Sequence, residues 1–333
     1  MRIVITGGGG FLGFKLAKAL LARGELAAAD GRASKISRLV LLDGAFPAEL
    51  PPDPRLEVVT GDVSDAATVA RVVTPDTASL FHLAAVVSGA AEADFDLGLR
   101  VNFQGTRLLV EQLRGCAAPP RVVFASSVAA FGGELPAVLD DSTLANPQTS
   151  YGTQKVIGEY LISDYSRKGF IQGCSLRLPT IVVRPGKPNA AASSFASGIL
   201  REPLNGVVAD CPVAPETGVW LLSPKRVTEA FIHAHELPAA AWGTRRVLNL
   251  PGITVSVADM IAAMGRVAGE AVAARVRWTR DERIRAIVRT WPARFETPRA
   301  QSLGFKHDPD IETVIRDYIA DEGVRPLFRE KGV

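Results

Sequence analysis

The sequence predicts an α/β fold, a doubly wound parallel sheet with a smaller C-terminal domain, from three observations. Short β-branched runs alternate with amphipathic stretches through the first half of the 333 residues. Several of these runs are apolar throughout, as in Leu39-Val40-Leu41-Leu42 and Val122-Val123-Phe124. The first run ends in consecutive glycines, Gly7 to Gly10. A strand that is apolar on both faces has to be buried on both, which is the condition of a parallel sheet covered by helices.

In chain order, strands are expected at Arg2 to Thr6, Arg38 to Leu42, Leu56 to Thr60, Leu80 to Leu83, Arg121 to Ala125 and Gly173 to Leu178, with helices between them. The insertion Glu25 to Ser37 is long for the loop it occupies. After Arg184 the texture changes, because Pro185, Pro188, Pro203, Pro212 and Pro215 punctuate short segments. Helices resume at Pro224 to His235 and Ser256 to Val267, the second opened by a Ser256/Asp259 capping box. Residues 1–180 read as the first domain, with a return strand near Arg246 to Asn249. Residues 181–333 read mainly as a second, partly interleaved domain.

Composition excludes several classes. With 47% hydrophobic and 22% charged residues the chain is not disordered. Its 38 basic and 35 acidic residues leave +3, without the basic footprint of a nucleic-acid binder. No run approaches the roughly 20 apolar residues of a membrane span, and Lys15 and Lys18 interrupt the apolar N-terminus. Cys116, Cys174 and Cys211 lack paired spacing, which points to a reducing cytoplasm.

The stretch Thr6-Gly7-Gly8-Gly9-Gly10-Phe11-Leu12-Gly13 follows a strand and opens a helix, with Gly7, Gly10 and Gly13 at GxxGxxG spacing. Glycines there allow a sharp turn and close approach of backbone to a pyrophosphate, whose charge suits a helix N-terminus. A merely flexible turn is the competing reading. Asp43 ends the second strand, where a carboxylate accepts from ribose hydroxyls and repels a 2′-phosphate, favouring NAD over NADP. Asp62-Val63 would meet the adenine, and His82-Leu83-Ala84-Ala85 would line the ribose and pyrophosphate.

Tyr151 and Lys155 are four apart on a predicted helix and share a face. A cation beside a phenol lowers its pKa from ~10, which suits general acid and base work. Ser126-Ser127 ends a strand at the carboxyl edge of the sheet, where a hydroxyl can hold a reacting oxygen beside that phenol. The pair also occurs by chance in ordinary helices, so its weight comes from this context.

Together the glycine turn, Asp43, Asp62, His82 to Ala85, Asn102, Ser127 and Tyr151/Lys155 resemble the extended short-chain dehydrogenase/reductase family, whose fold is the Rossmann sheet and which includes nucleoside-diphosphate-sugar epimerases. The resemblance covers nearly the whole chain. It implies a catalytic set of Ser127, Tyr151 and Lys155. It also implies a cofactor set of Gly7, Gly10, Phe11, Leu12, Gly13, Asp43, Asp62, Val63, Leu83, Ala84, Ala85, Asn102, Ser126, Tyr151, Lys155, Pro179 and Val182. The family's hydroxyl lies four residues before a Tyr-Gly pair. Phe131-Gly132 marks that point, giving Ser127 rather than Ser126, with Phe in place of Tyr. Val128-Ala129 replaces the Asp-Glu of dehydratases.

The segment Leu176 to Asn189, followed by Ala191 to Gly206, is similar to the D-erythronate dehydrogenase branch, which implies NAD-linked oxidation at C2 of a four-carbon sugar acid. In that branch Pro179 to Val182 border the nicotinamide. Ser88, Ser127, Thr180 and Arg184 are the candidate substrate contacts, with Arg184 proposed for the carboxylate and Arg201 or Lys187 as alternatives. A domain-boundary salt bridge would explain Arg184 equally well.

The remaining features take simpler readings. His233 and His235 are expected at the surface, and no metal is required. Cys174 and the four tryptophans read as packing residues, and Arg275 to Arg294 as a solvated helix face. The expectation is a cytoplasmic NAD-dependent oxidoreductase, compatible with a homodimer. A nucleotide-sugar epimerase and a non-catalytic dinucleotide sensor are the alternatives.

Overall fold

The computed structural model describes residues 1–186, 193–279 and 281–325. Its central element is a seven-stranded parallel sheet of β1 (Arg2–Thr6), β2 (Arg38–Asp43), β3 (Leu56–Thr60), β4 (Thr77–His82), β5 (Arg121–Ser127), β6 (Gln172–Leu178) and β7 (Val247–Asn249), in the order β7-β6-β5-β4-β1-β2-β3. The chain winds outward from β1 to β3 and then starts again at β4 on the other side of β1. That reversal opens a crevice at the carboxyl ends of β1 and β4, where such sheets bind ligands. The long insertion forms an antiparallel hairpin, Glu25–Ala27 with Ala33–Lys35.

The chain divides into two compact units. The first comprises Met1–Ala130, Pro147–Arg177 and Val227–Asn249, the second Phe131–Asn146, Leu178–Arg226 and the residues from Leu250 onward. Compared with a break at residue 180, the segments 131–146 and 227–249 are exchanged. The first of these is anchored by Phe131, which is 4% exposed and meets Phe295 edge to face at 5.8 Å between ring centroids. An apolar ring at position 131 suits that site better than a tyrosine, whose hydroxyl would need a buried partner. The return strand β7 pairs in parallel with β6 through Val247/Ser175 to Asn249/Arg177.

The first unit's core includes Val4, Val40, Leu80, Leu109, Phe124 and Ile162, all buried. The second has its own core of Leu200, Leu221, Met260, Met264 and Ile315. Its three-stranded sheet places Gly218–Leu222 between Thr180–Ile181 and Ile253–Ser256. Ser256 caps the helix Val257–Ala268, accepting from the Asp259 N–H at 3.0 Å. No helix among the described residues is long and apolar enough to cross a membrane.

Three sequence readings change. His235 is 2% exposed rather than superficial: its Nε2 meets Ser79 Oγ at 2.7 Å and its ring stacks on Phe81 at 5.3 Å. Arg275 to Arg294 is not one helix. It contains strand Val276–Trp278, with Arg277 on Asp210, and then helix Glu282–Val288. Among the tryptophans, Trp220 and Trp242 are buried but Trp278 is exposed.

Burial holds the His235 imidazole down to about 3, helped by Arg121 and Arg23, and holds His82 down to about 3, helped by Lys155. Below 6.5 the unfolded chain therefore takes up protons that the folded chain refuses until near 3, so stability falls as pH falls through that window. Each histidine contributes about 1.4 kcal/mol per pH unit once below its unfolded value. The expected result is a melting temperature that declines between pH 6.5 and 5, before most carboxylates titrate, with a shallower decline in His235→Gln. Equal slopes in the two proteins would contradict this.

Candidate active site

The glycine turn is fixed by distance. Gly7 has φ +72°, and a Cβ there would lie 2.7 Å from Ala84 N. A Cβ on Gly13 would lie 2.0 Å from the Gly7 carbonyl oxygen. Any side chain at either position would separate β1 from the end of β4 or from α1 (Phe11–Arg23). The N–H groups of Gly9 and Gly10 donate to Asp43 Oδ2 at 3.0 and 3.1 Å, and the Gly44 N–H to Oδ1 at 2.7 Å. A carboxylate resting on amides at a helix N-terminus shows that these donors are set for an anion, so the turn fits a dinucleotide. Asp43 adjoins the turn from the end of β2, and its long spacing from Gly13 is taken up by the inserted hairpin.

Other residues of the expected cofactor set are placed differently. Phe11 and Leu12, in the first turn of α1, and Leu83, Ala84 and Ala85, after β4, are half-buried. Asp62 is exposed and accepts from the Ser64 N–H and Oγ at 2.8 and 2.7 Å. Val63 is 5% exposed and turns into the core, where a Cβ on Gly105 would be 2.9 Å from it, so its side chain does not face an adenine. His82 does not line the crevice either. Its Nδ1 meets Thr6 Oγ1 at 2.7 Å and its Nε2 meets Thr106 Oγ1 at 2.9 Å. Because Thr106 donates to the Asn102 carbonyl at 2.6 Å, the imidazole donates from Nε2 and accepts at Nδ1. The resulting chain braces β1, β4 and the helical segment around Asn102. The Asn102 amide is itself engaged by the Val86 backbone at 2.8 and 3.0 Å and by Gln154 at 2.7 Å.

Two residues of the expected catalytic set, Tyr151 and Lys155, share one face of the helix Ser150–Arg167, hereafter α2. Its N-cap is Thr149, which accepts from the Gly152 N–H at 3.1 Å. Tyr151 is half-buried in the first turn, and Lys155, one turn on, is 3% exposed. The Lys155 ammonium donates to the Ala125 carbonyl at 2.8 Å and lies 5.6 Å from the Tyr151 ring centroid and 4.8 Å from that of Phe124. Burial pulls Lys155 down to about 7, against the opposing pull of Glu159.

Alternation along β5 separates the two serines. Ser126 is 2% exposed and donates to Glu159 at 2.5 Å, whereas half-buried Ser127 accepts from the Ala129 N–H at 3.1 Å. Ser126 is therefore committed to the interior. Ala129 also abuts α2: a Cβ on Gly152 would be 2.1 Å from its carbonyl oxygen. One residue thus links Ser127 to the helix that carries Tyr151.

Ser88 begins the helix Ser88–Ala93 in the first unit. In the second unit Pro179 is buried, Thr180 half-buried, and Val182 fully buried with its N–H on the Leu222 carbonyl at 3.1 Å. The Arg184 N–H donates to Ser197 Oγ at 3.1 Å, and its carbonyl accepts from Arg201 at 2.9 Å. Arg201 is 6% exposed and paired with Glu202 at 2.5 Å, which commits it to structure. Lys187 and the start of the 191–206 segment lie outside the described residues.

Sequence reasoning missed Glu159, Arg177, Gln154, Thr6 and Thr106. Glu159 was readable, since it lies four residues beyond Lys155 on the same face. The hydroxyls and Arg177 carried no local signal.

Two substitutions test this geometry. Gly152→Ala should drive α2 from the Ala129 carbonyl and lower kcat at least about tenfold while NAD affinity, measured by fluorescence titration, stays near native; native kcat would contradict the close fit. Asp43→Ala should narrow the ratio of kcat/KM for NAD over NADP by removing a ribose acceptor and a repulsive charge. A native enzyme that prefers NADP would contradict the placement of Asp43.

Residues 3–235 match the profile of the NAD dependent epimerase/dehydratase family. A D-erythronate dehydrogenase of Cupriavidus necator is 57% identical over 97% of this chain and 99% of its own length. One of Haemophilus influenzae is 45% identical over 96% and 99%. A crystal structure described as a nucleoside-diphosphate-sugar epimerase from Agrobacterium tumefaciens superposes with a TM-score of 0.91 at 41% identity, covering 98% of this chain and 95% of that one. With a family match over most of its length and relatives this similar end to end, the chain belongs to the NAD dependent epimerase/dehydratase family.

Proposed function

We propose that this protein oxidises the C2 hydroxyl of D-erythronate to 2-dehydro-D-erythronate with NAD. The observation that carries the reading is the buried Lys155 ammonium 5.6 Å from the Tyr151 ring, on a chain whose near full-length relatives bear the name D-erythronate dehydrogenase. NAD, held by the glycine turn and Asp43, supplies the hydride acceptor. Tyr151 takes the proton of the C2 hydroxyl as the hydride departs. Lys155 favours the phenolate electrostatically and binds the nicotinamide ribose, and Ser127 donates to the reacting oxygen. Arg184 holds the substrate carboxylate with a planar, two-pronged donor set.

A cytoplasmic location draws support from the free thiols of Cys116, Cys174 and Cys211. A homodimer draws support from Phe95 and Tyr160, 58% and 72% exposed on helices of the first unit. A second reading, as a nucleotide-sugar epimerase, rests on the description of the Agrobacterium structure. It requires NAD retained through the cycle and no net NADH.

The test is NADH absorbance with a panel of aldonic acids, erythritol and sugar nucleotides. D-erythronate should be the best substrate and erythritol a poor one; sugar-nucleotide turnover without NADH would favour the second reading. Tyr151→Phe should keep NAD binding and lose about 10²- to 10⁴-fold in kcat, and near-native turnover would discard the mechanism. Ser127→Ala should cost about 3 kcal/mol at the transition state. Damage from Ser126→Ala with a silent Ser127→Ala would move the hydroxyl by one residue. Arg184→Met should raise the KM for D-erythronate and leave NAD affinity unchanged, and a KM that does not move would assign the carboxylate to another group.

A further inference from the structure

Behind the proton-handling groups lies a buried ion pair that the mechanism above does not use. Tyr151, Lys155 and Glu159 follow at four-residue steps on α2, and Glu159 is 2% exposed. Its carboxylate accepts from Arg177 Nε at 2.8 Å and Nη2 at 2.7 Å, a two-pronged pair reaching from β6, and from Ser126 Oγ on β5 at 2.5 Å. Ser126 precedes Ser127 and follows Ala125, whose carbonyl receives the Lys155 ammonium. One carboxylate therefore ties together the helix of Tyr151 and Lys155, the strand of Ser127, and the next strand in the sheet.

Such a group is poor value as a stability device. Burying a carboxylate and a guanidinium costs about as much in desolvation as their attraction returns, and an apolar pair of equal volume does as well. Its position relative to Lys155 is a more specific property. An ammonium in a site this dry is unfavourable unless a counter-charge lies close by.

Resting on the assignment of Tyr151 and Lys155 above, we infer that Glu159 is a positioning residue for this reaction: locked by Arg177 and Ser126, its carboxylate is the counter-charge that keeps Lys155 an ammonium beside Tyr151 and holds β5 in register with α2. Other charged groups near α2 do not substitute for it. His82 is neutral, held down to about 3 by burial and by Lys155 itself. Arg177 is cationic and turned to Glu159. Glu92 accepts from the Ser150 N–H at the start of α2, Arg100 is exposed, and Glu111 is engaged by Tyr165 and Arg114. Burial lowers Lys155 and Glu159 opposes it.

The sign follows from this opposition. Without the Glu159 charge Lys155 loses its proton at lower pH, so the alkaline limb of kcat/KM moves down although neither Tyr151 nor Ser127 is itself substituted. Two measurements on Glu159→Gln read it. In protein labelled with ε-13C-lysine, and with the Lys155 resonance assigned by its loss in Lys155→Arg, the midpoint of the Lys155 titration should fall by about one pH unit. With NAD and D-erythronate, the alkaline limb should fall by the same amount. Glu159→Asp, which keeps the charge, should hold the midpoint within about half a unit of native while reducing kcat, and it also serves as the test should Glu159→Gln fail to fold. A lowered melting temperature with an unmoved Lys155 midpoint would reduce Glu159 to a structural residue and overturn the inference, as would an aspartate variant whose midpoint falls a full unit. The NMR arm needs no substrate, so an absence of D-erythronate turnover beside a shifted midpoint would remove the proposed substrate and leave the role of Glu159 standing.

Discussion

A lysine amine held almost out of contact with water sets the terms for the rest of the site. Lys155 is 3% exposed, and the groups that make its charge tolerable are the Ala125 carbonyl, the face of Phe124 and the Glu159 carboxylate one turn away. Each belongs to an element that must itself be positioned: β5 for the carbonyl and the ring, α2 for the carboxylate. The sheet supplies that position because β5 lies between β4 and β6, and its carboxyl end opens beside the reversal in strand order. The proposed chemistry thus falls where the winding of the chain leaves strand ends uncovered, with Lys155 at one point of that edge.

The supports around this point are short-range and stiff. Gly7, Gly13 and Gly152 each face a backbone atom that leaves no room for a side chain. Thr6, His82 and Thr106 form a hydrogen-bonded chain across the base of the crevice, satisfied by one tautomer of a neutral imidazole. Close backbone approach and a fixed polar chain resist small displacements, and hydride transfer loses rate steeply when reacting groups shift by even 1 Å.

Much of this was legible in the sequence. Apolar runs gave the strands, glycine spacing gave the turn, and the four-residue step from Tyr151 to Lys155 gave the shared helix face, since each is a local regularity with a direct geometric cause. Groups whose partners are distant in sequence were not legible. His82 and Val63 occupy positions at strand ends that point to a ligand, yet their side chains turn inward, and only the packing against Thr106 and Gly105 decides that. His235 looked superficial because the helix pattern cannot reveal Ser79 and Phe81 waiting beneath it. The exchange of residues 131–146 into the second unit depends on Phe131 finding Phe295, a contact that no periodicity announces. Glu159 is the intermediate case: its helix face could be read, but its significance needed Arg177 and Ser126.

The claim that joins these observations is direct transfer of hydrogen from C2 of a sugar acid to the nicotinamide while Tyr151 takes the hydroxyl proton. D-Erythronate carrying deuterium at C2, oxidised with NAD, tests it most directly, with the reduced cofactor isolated and read by mass spectrometry and proton NMR. The account predicts one deuterium at C4 of the nicotinamide in every NADH formed. Unlabelled NADH, with the deuterium retained in the product or lost to water, would contradict it.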